Sequence, residues 1–152
     1  MVDGMDEPRV AVVGVGMWGK NHARNYAELG ALAAVVDRDP EAAARLAAQH
    51  GVPARSFEDV LADPAIGGVV FALPPSQNLP LGRQALAAGK HLFVEKPMTM
   101  TSAEGETLIG LAAEAGRTLT VGHILQYHPV FRALLDRVRA GALGRVQSIV
   151  SS

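Results

Sequence analysis

The chain has 152 residues, with 14 Lys and Arg against 15 Asp and Glu, five histidines and no cysteine. That length holds one ordinary domain, able to bury about 68–70% of the surface its unfolded form exposes, and leaves no room for a second core of similar size. The near-balanced charge offers no basic face to a nucleic acid, and zero cysteines exclude disulfides, thiolate catalysis and Cys-ligated zinc while agreeing with a reducing compartment.

Residues 1–8 are acidic, lack the basic and apolar regions of a signal peptide, and read as a flexible N-terminus. No apolar run approaches the 18 or so residues of a membrane span. A soluble, cytoplasmic protein with no membrane partner is expected.

Arg9-Val-Ala-Val-Val13 reads as a strand that breaks into Gly14-Val-Gly16-Met-Trp-Gly19 and then into a helix reaching Leu29. Gly14 allows a tight exit from the strand, Gly16 lets a phosphate approach the backbone, and Gly19 lets the helix pack closely on the sheet. The helix start offers unpaired N–H groups and a positive dipole end to an anion. A second apolar run, Leu32–Val36, ends at Asp37, 23 positions after Gly14. Roughly 20 is expected for the acid that accepts from the adenosine ribose. Gly-x-Gly-x-x-Gly alone also marks ordinary strand–turn–helix units; the flanking strand, helix and acid make it a dinucleotide fingerprint.

Asp39-Pro40 opens the next helix as N-cap and first helical residue, and Gly51 closes it. Val52–Arg55 can supply only a short strand, and Ser56 caps a brief helix through Leu61. The apolar run Gly67–Leu73 reads as a parallel strand covered on both faces, halted by Pro74-Pro75. A helix from about Gln77 to Ala88 ends at Gly89, the strand His91–Val94 leads into Glu95-Lys96-Pro97, and a helix from Ser102 to Ala115 precedes the strand Thr118–Val121. Six strand-like runs alternating with helices predict an α/β fold, a Rossmann doubly wound parallel sheet over residues 9–142 with strand order 3-2-1-4-5-6. In that order the first and fourth strands border the crevice where such sheets bind ligands. The glycine turn, Asp37, Pro74-Pro75, Glu95-Lys96-Pro97 and Gly122-His123 all fall at the carboxyl ends of strands, on one rim.

Glu95-Lys96-Pro97 paired with the N-terminal glycine motif resembles the Gfo/Idh/MocA family of NAD(P)-dependent sugar oxidoreductases. Ala87–Pro97 and Val121–Pro129 carry the same likeness, and Trp18-Gly-Lys-Asn21 looks most like the branch that oxidises nucleotide-linked amino-sugar uronates at C3; inositol and glucose enzymes also fit. The resemblance implies a cofactor domain followed by a sugar-binding and oligomerising domain, which makes this chain a fragment, with residues 143–152 as the first strand or linker of the second domain and with self-association at its apolar end. It implies cofactor contacts from Met17, Trp18, Arg38, Leu73, Pro74, Asn78, Glu95, Lys96, Pro97 and Gln126, beside Gly14, Gly16, Gly19 and Asp37. It also suggests a cis bond before Pro97. Two positions depart from the family: Ser76-Gln77-Asn78 stands where a histidine is usual, and Gln126 where an arginine is usual.

Oxidising a secondary alcohol needs a base while nicotinamide takes the hydride. Lys96, at a strand end in the cleft, can serve if burial and the neighbouring cationic ring favour its neutral form; the resemblance assigns it that role or that of a proton relay, and the alternative is an ordinary lysine snorkelling at a strand terminus. Glu95, on the opposite face by strand alternation, reads as an orienting acceptor at the cofactor side or as an ordinary strand-end carboxylate. His123 is a candidate substrate or nicotinamide contact or a structural histidine; His22, on the first helix, reads as packing or capping. His123 and His128 have no acid or cysteine at ligand spacing, so no metal is expected. Asp37 favours NAD and repels the 2′-phosphate of NADP, while Arg38 can turn toward that phosphate. A non-catalytic dinucleotide-binding or sensing module is the rival function; a methyltransferase leaves Glu95-Lys96-Pro97 unexplained.

Overall fold

Runs of Val, Ala, Leu and Phe extend into five parallel strands in the computed structural model, which describes residues 9–150. The expectation for residues 1–8 lies outside that range. The strands are β1 (Val10–Val13), β2 (Leu32–Val36), β3 (Gly68–Phe71), β4 (His91–Val94) and β5 (Leu119–Val121), in the spatial order β2-β1-β3-β4-β5. Register aligns Val13 with Val36 and Phe71, Phe71 with Val94, and Val94 with Val121, so every strand ends on the same rim. Because β2 lies on one side of β1 and β3 on the other, the crossovers reverse direction between β1 and β3, and that gap is the switch point.

The third expected strand is reduced to a single bridge between Ala54 and Val35. Pro53 has no N–H to extend a ladder, although its carbonyl accepts from Val35 N at 3.2 Å and Arg55 N returns to Val35 O at 3.0 Å. The segment sits beside β2, so the predicted order survives with its edge strand truncated.

Helices α1 (Met17–Glu28), α2 (Pro40–His50), α3 (Phe57–Ala62), α4 (Pro75–Ala87) and α5 (Ser102–Glu114) cover both faces. Strand alternation divides the core: Val12, Val35 and Val70 pack with Ala23 of α1 and Leu46 and Ala47 of α2. Ala11, Val13, Val69, Phe71, Leu92 and Val94 face Phe57, Val60, Ala85, Leu86 and Leu108 on the other side. Local chemistry fixes the helix starts: Asp39 accepts from Glu41 N and Ala42 N, Ser56 from Asp59 N, and Thr101 with Glu104 forms a reciprocal capping box. Helix α4 begins at Pro75, two residues before the sequence reading placed it, because the ring sets φ for the first helical position and removes an N–H that has no partner there.

At the opposite rim, buried Lys90 donates from Nζ to Asp63 O at 2.6 Å and Ile66 O at 2.8 Å, and burial holds its ammonium below the usual lysine pKa.

The chain divides into two units after Gly122. The second contains a 3-10 turn at Ile124–Tyr127 and α6 (Pro129–Arg139), a helix missing from the sequence reading; residues 145–150 carry neither helix nor strand. Among the described residues no helix is long and apolar enough to cross a membrane.

Candidate functional site

The rim at the switch point is built around Gly14. Its φ of +92° turns the chain out of β1, its N–H donates to Val36 O at 2.8 Å, and a Cβ there would collide with the Ala72 carbonyl oxygen. Gly19 answers a different constraint from the one expected: an added Cβ would strike the Gly14 carbonyl oxygen, so this glycine lets α1 close onto the turn, with the Ala72 methyl at 3.6 Å. Gly16 has no such internal reason. Its φ of −65° suits any residue, and a Cβ would meet nothing within 4 Å. It caps α1 without a side-chain acceptor, and among the described residues no acceptor meets the N–H groups of Met17, Trp18 or Gly19. A bare backbone, free donors and open space together fit an anion.

Asp37 closes one side. Its Oδ2 accepts from Val15 N at 2.7 Å and its Oδ1 from Asp39 N at 2.9 Å, which pins the carboxylate across the glycine turn while each oxygen keeps a further lone pair. An open groove of about 570 Å³ runs from Gly14 and Gly16 past Asp37 and Arg38 to Ala72, Leu73 and Pro74. That volume falls within the range of small-molecule sites. The groove therefore gathers Gly14, Gly16, Asp37, Arg38, Leu73 and Pro74. It is also lined by residues the sequence reading passed over: Ser56, Phe57 and Glu58 at the start of α3, and Gln77, Leu81 and Gln84 on α4. The last three sit at i, i+4 and i+7, one helical face, a signal present in the sequence.

Met17, Trp18, Gly19, Asn78, Glu95, Lys96 and Pro97 do not line this groove. The last three form the turn after β4, with a cis bond between Lys96 and Pro97. Lys96 is exposed, in the bend that follows β4 beyond Glu95, and its Nζ stands 6.0 Å from the Trp18 ring centroid. Glu95 is buried, its Oε1 2.8 Å from His22 Nε2 and its Oε2 accepting from Lys96 N at 3.2 Å. His22 lies within α1 and so caps nothing; it packs against Phe93 and bonds Glu95. Asn78 is buried on α4, where its Nδ2 donates to Met98 O at 3.0 Å while its Oδ1 has no partner among the described residues. His123 and Gln126 belong to the second unit. Among the described residues, no group of three His, Asp or Glu side chains is placed to hold a metal ion.

A parallel sheet with a glycine turn at its switch point, an open helix N-terminus and an acid at the end of the neighbouring strand defines a dinucleotide-binding Rossmann domain. Residues 8–123 match the model of the Gfo/Idh/MocA oxidoreductase family with an NAD-binding Rossmann fold, and the chain belongs to that family. It is 38% identical over 127 residues to the UDP-N-acetylglucosamine 3-dehydrogenase of Acidithiobacillus ferrooxidans, covering 83% of this chain and 40% of that protein. A solved structure of that enzyme superposes with a TM-score of 0.81 at 36% identity, over 87% of this chain and 43% of the other. The scyllo-inositol dehydrogenase of Lactobacillus casei, solved with NAD(H) and scyllo-inositol, gives 0.82 at 25% identity, over 91% and 43%. A 3-ketoreductase of Actinomadura kijaniata, solved with TDP-benzene and NADP, gives 0.82 at 25%, over 93% and 46%. The chain thus spans about 40% of the length of the curated relatives it matches.

Proposed function

We propose that this chain is the NAD-binding part of an oxidoreductase that moves a hydride between a nicotinamide cofactor and a secondary alcohol of a sugar, nucleotide sugar or cyclitol. The observation that carries the reading is Gly16, open and unhindered at the unpartnered start of α1, facing a groove that Asp37 borders. The pyrophosphate would lie on the N–H groups at that helix start, the adenosine ribose would donate to Asp37, and Leu73 and Pro74 would form the opposite wall. The substrate class draws on relatives that act on UDP-N-acetylglucosamine and scyllo-inositol.

Preference for NAD follows from the way Asp37 is held. With both oxygens bonded to backbone N–H groups, the carboxylate cannot swing away from a 2′-phosphate, so the two negative groups would repel. Arg38, exposed at the groove mouth, is the opposing feature.

A bound nicotinamide supplies the hydride-accepting ring. Lys96, on the rim beyond β4, would take the hydroxyl proton at Nζ from its neutral form, which the cationic ring of the bound cofactor would favour, and Glu95 would hold the turn that carries it. Gln126 as a cofactor contact and His123 as a substrate contact are proposed on the family resemblance alone. Titration calorimetry of the 152-residue chain with both cofactors tests the binding claim: NAD tighter than NADP is expected, and equal or tighter NADP binding overturns the preference. In a preparation that turns over, Lys96→Ala should remove activity at unchanged NAD affinity, whereas normal turnover would take Lys96 out of the proton transfer.

A further inference from the structure

We propose that His22 is a positioning residue for Lys96, acting through the Glu95 carboxylate, so that the helix whose start would receive the cofactor's phosphates also sets where the proton-transferring lysine stands. The proposal rests on the reading of Lys96 given above.

Trp18, His22 and Tyr26 are spaced i, i+4 and i+8 on α1 and share one face. His22 is the middle of that stripe, stacked on Tyr26 at 6.5 Å and set edge-on to Phe93 at 5.2 Å. Its Nε2 meets Glu95 Oε1 at 2.8 Å, with the two side chains only 14% and 10% exposed. A carboxylate oxygen can only accept, so Nε2 carries the proton. Since Glu95 Oε2 accepts the Lys96 N–H, an unbroken path of two hydrogen bonds joins the helix to the backbone of Lys96. On the side of Gly122 the carboxylate is closely packed: a Cβ there would stand 3.0 Å from Oε1 and 3.1 Å from Phe93 Cζ. Without the imidazole, a buried carboxylate turns toward water, and the Lys96 amide loses its acceptor.

Two further contacts bracket the same turn. Lys96 Nζ lies over Trp18 at 6.0 Å, the outer reach of a cation–π contact, and Asn78 Nδ2 holds Met98 O at 3.0 Å on the far side. Packing alone does not call for this arrangement, because apolar groups of similar volume fill such a space as well as a buried polar pair does.

Residue-resolved amide hydrogen exchange on the 152-residue chain tests the proposal. In His22→Leu the Lys96 amide should lose protection tenfold or more while the Val12 amide in β1 keeps its own, and Trp18, the sole tryptophan, should shift its emission. His22→Gln, which still donates to Glu95, should restore both. Unchanged Lys96 protection in His22→Leu, equal loss in the Gln variant, or matching loss at Val12 would each overturn the proposal. Should His22→Leu fail to fold, nitrogen NMR of the wild-type imidazole decides: a proton on Nε2 is expected, and one on Nδ1 contradicts it. None of these measurements reads turnover, so a failure here leaves Lys96 to its own assay.

Discussion

Gly16→Val separates folding from binding more cleanly than any other substitution in the glycine turn. The residue has φ −65° and ψ −164°, an extended conformation that valine adopts freely, and its added Cβ meets nothing within 4 Å. The folding cost is therefore limited to losing a favourable N-cap residue, about 0.5–1 kcal/mol, which lowers Tm by roughly 1–4 °C for a chain of this size. Binding should fall much further. The isopropyl group would occupy the approach to the N–H groups of Met17, Trp18 and Gly19, and losing two charge-assisted hydrogen bonds at about 1.5–3 kcal/mol each weakens affinity by about 10²–10⁴-fold. Calorimetric titration with NAD, beside a thermal melt, reads both quantities. A folded Gly16→Val chain with wild-type affinity would refute the argument and remove this turn from the site.

Gly14→Ala should do the reverse first: positive φ and the clash with Ala72 O predict a loss of about 2–4 kcal/mol in urea unfolding, before any effect on cofactor is read. Lys90→Met should cost about 1–3 kcal/mol by leaving the Ile66 and Asp63 carbonyls without their donor, at unchanged NAD affinity, since these groups lie on the rim opposite the site. The Ala65 N–H and then Arg55 hold the Asp63 carboxyl below the usual range, so its contribution is present above about pH 4 and is lost as pH falls through the lowered value. Asp63→Asn should accordingly flatten the acid limb of a stability–pH curve and leave the neutral and alkaline limbs in shape.

The fold was legible because periodicity and punctuation agreed. Continuous runs such as Val69-Val-Phe71 mark strands covered on both faces, and Asp39-Pro40 and Ser56 mark helix starts whose caps form as the residue types require. Pro53 was the warning that the Val52–Arg55 segment would not become a full strand. Helix α6 is written in the sequence too, with Val130, Phe131, Leu134, Leu135 and Val138 at helical spacing behind Pro129. At the site, glycine spacing located Gly14, Gly16 and Asp37, but it did not reveal that Gly19 meets the Gly14 carbonyl oxygen ahead of the Ala72 methyl at the end of β3. The His22–Glu95 pair was out of reach for a different reason. Its members are 73 residues apart, and only the packing of α1 beside the end of β4 joins them. Burial of Lys96 was a condition of its proposed role, and its exposure depends on the course of the chain after Glu95, which residue types alone do not encode.

Amide chemical-shift mapping of the 152-residue chain titrated with NADH asks whether a dinucleotide lies along the rim between β1 and β3. Shifts are expected at Val15, Gly16, Met17 and Trp18, at Asp37 and Arg38, and at Leu73, with the Gly67 and Lys90 amides on the opposite rim unmoved. Saturable shifts centred on Gly67 and Lys90, or none at the glycine turn at saturating NADH, would contradict that placement.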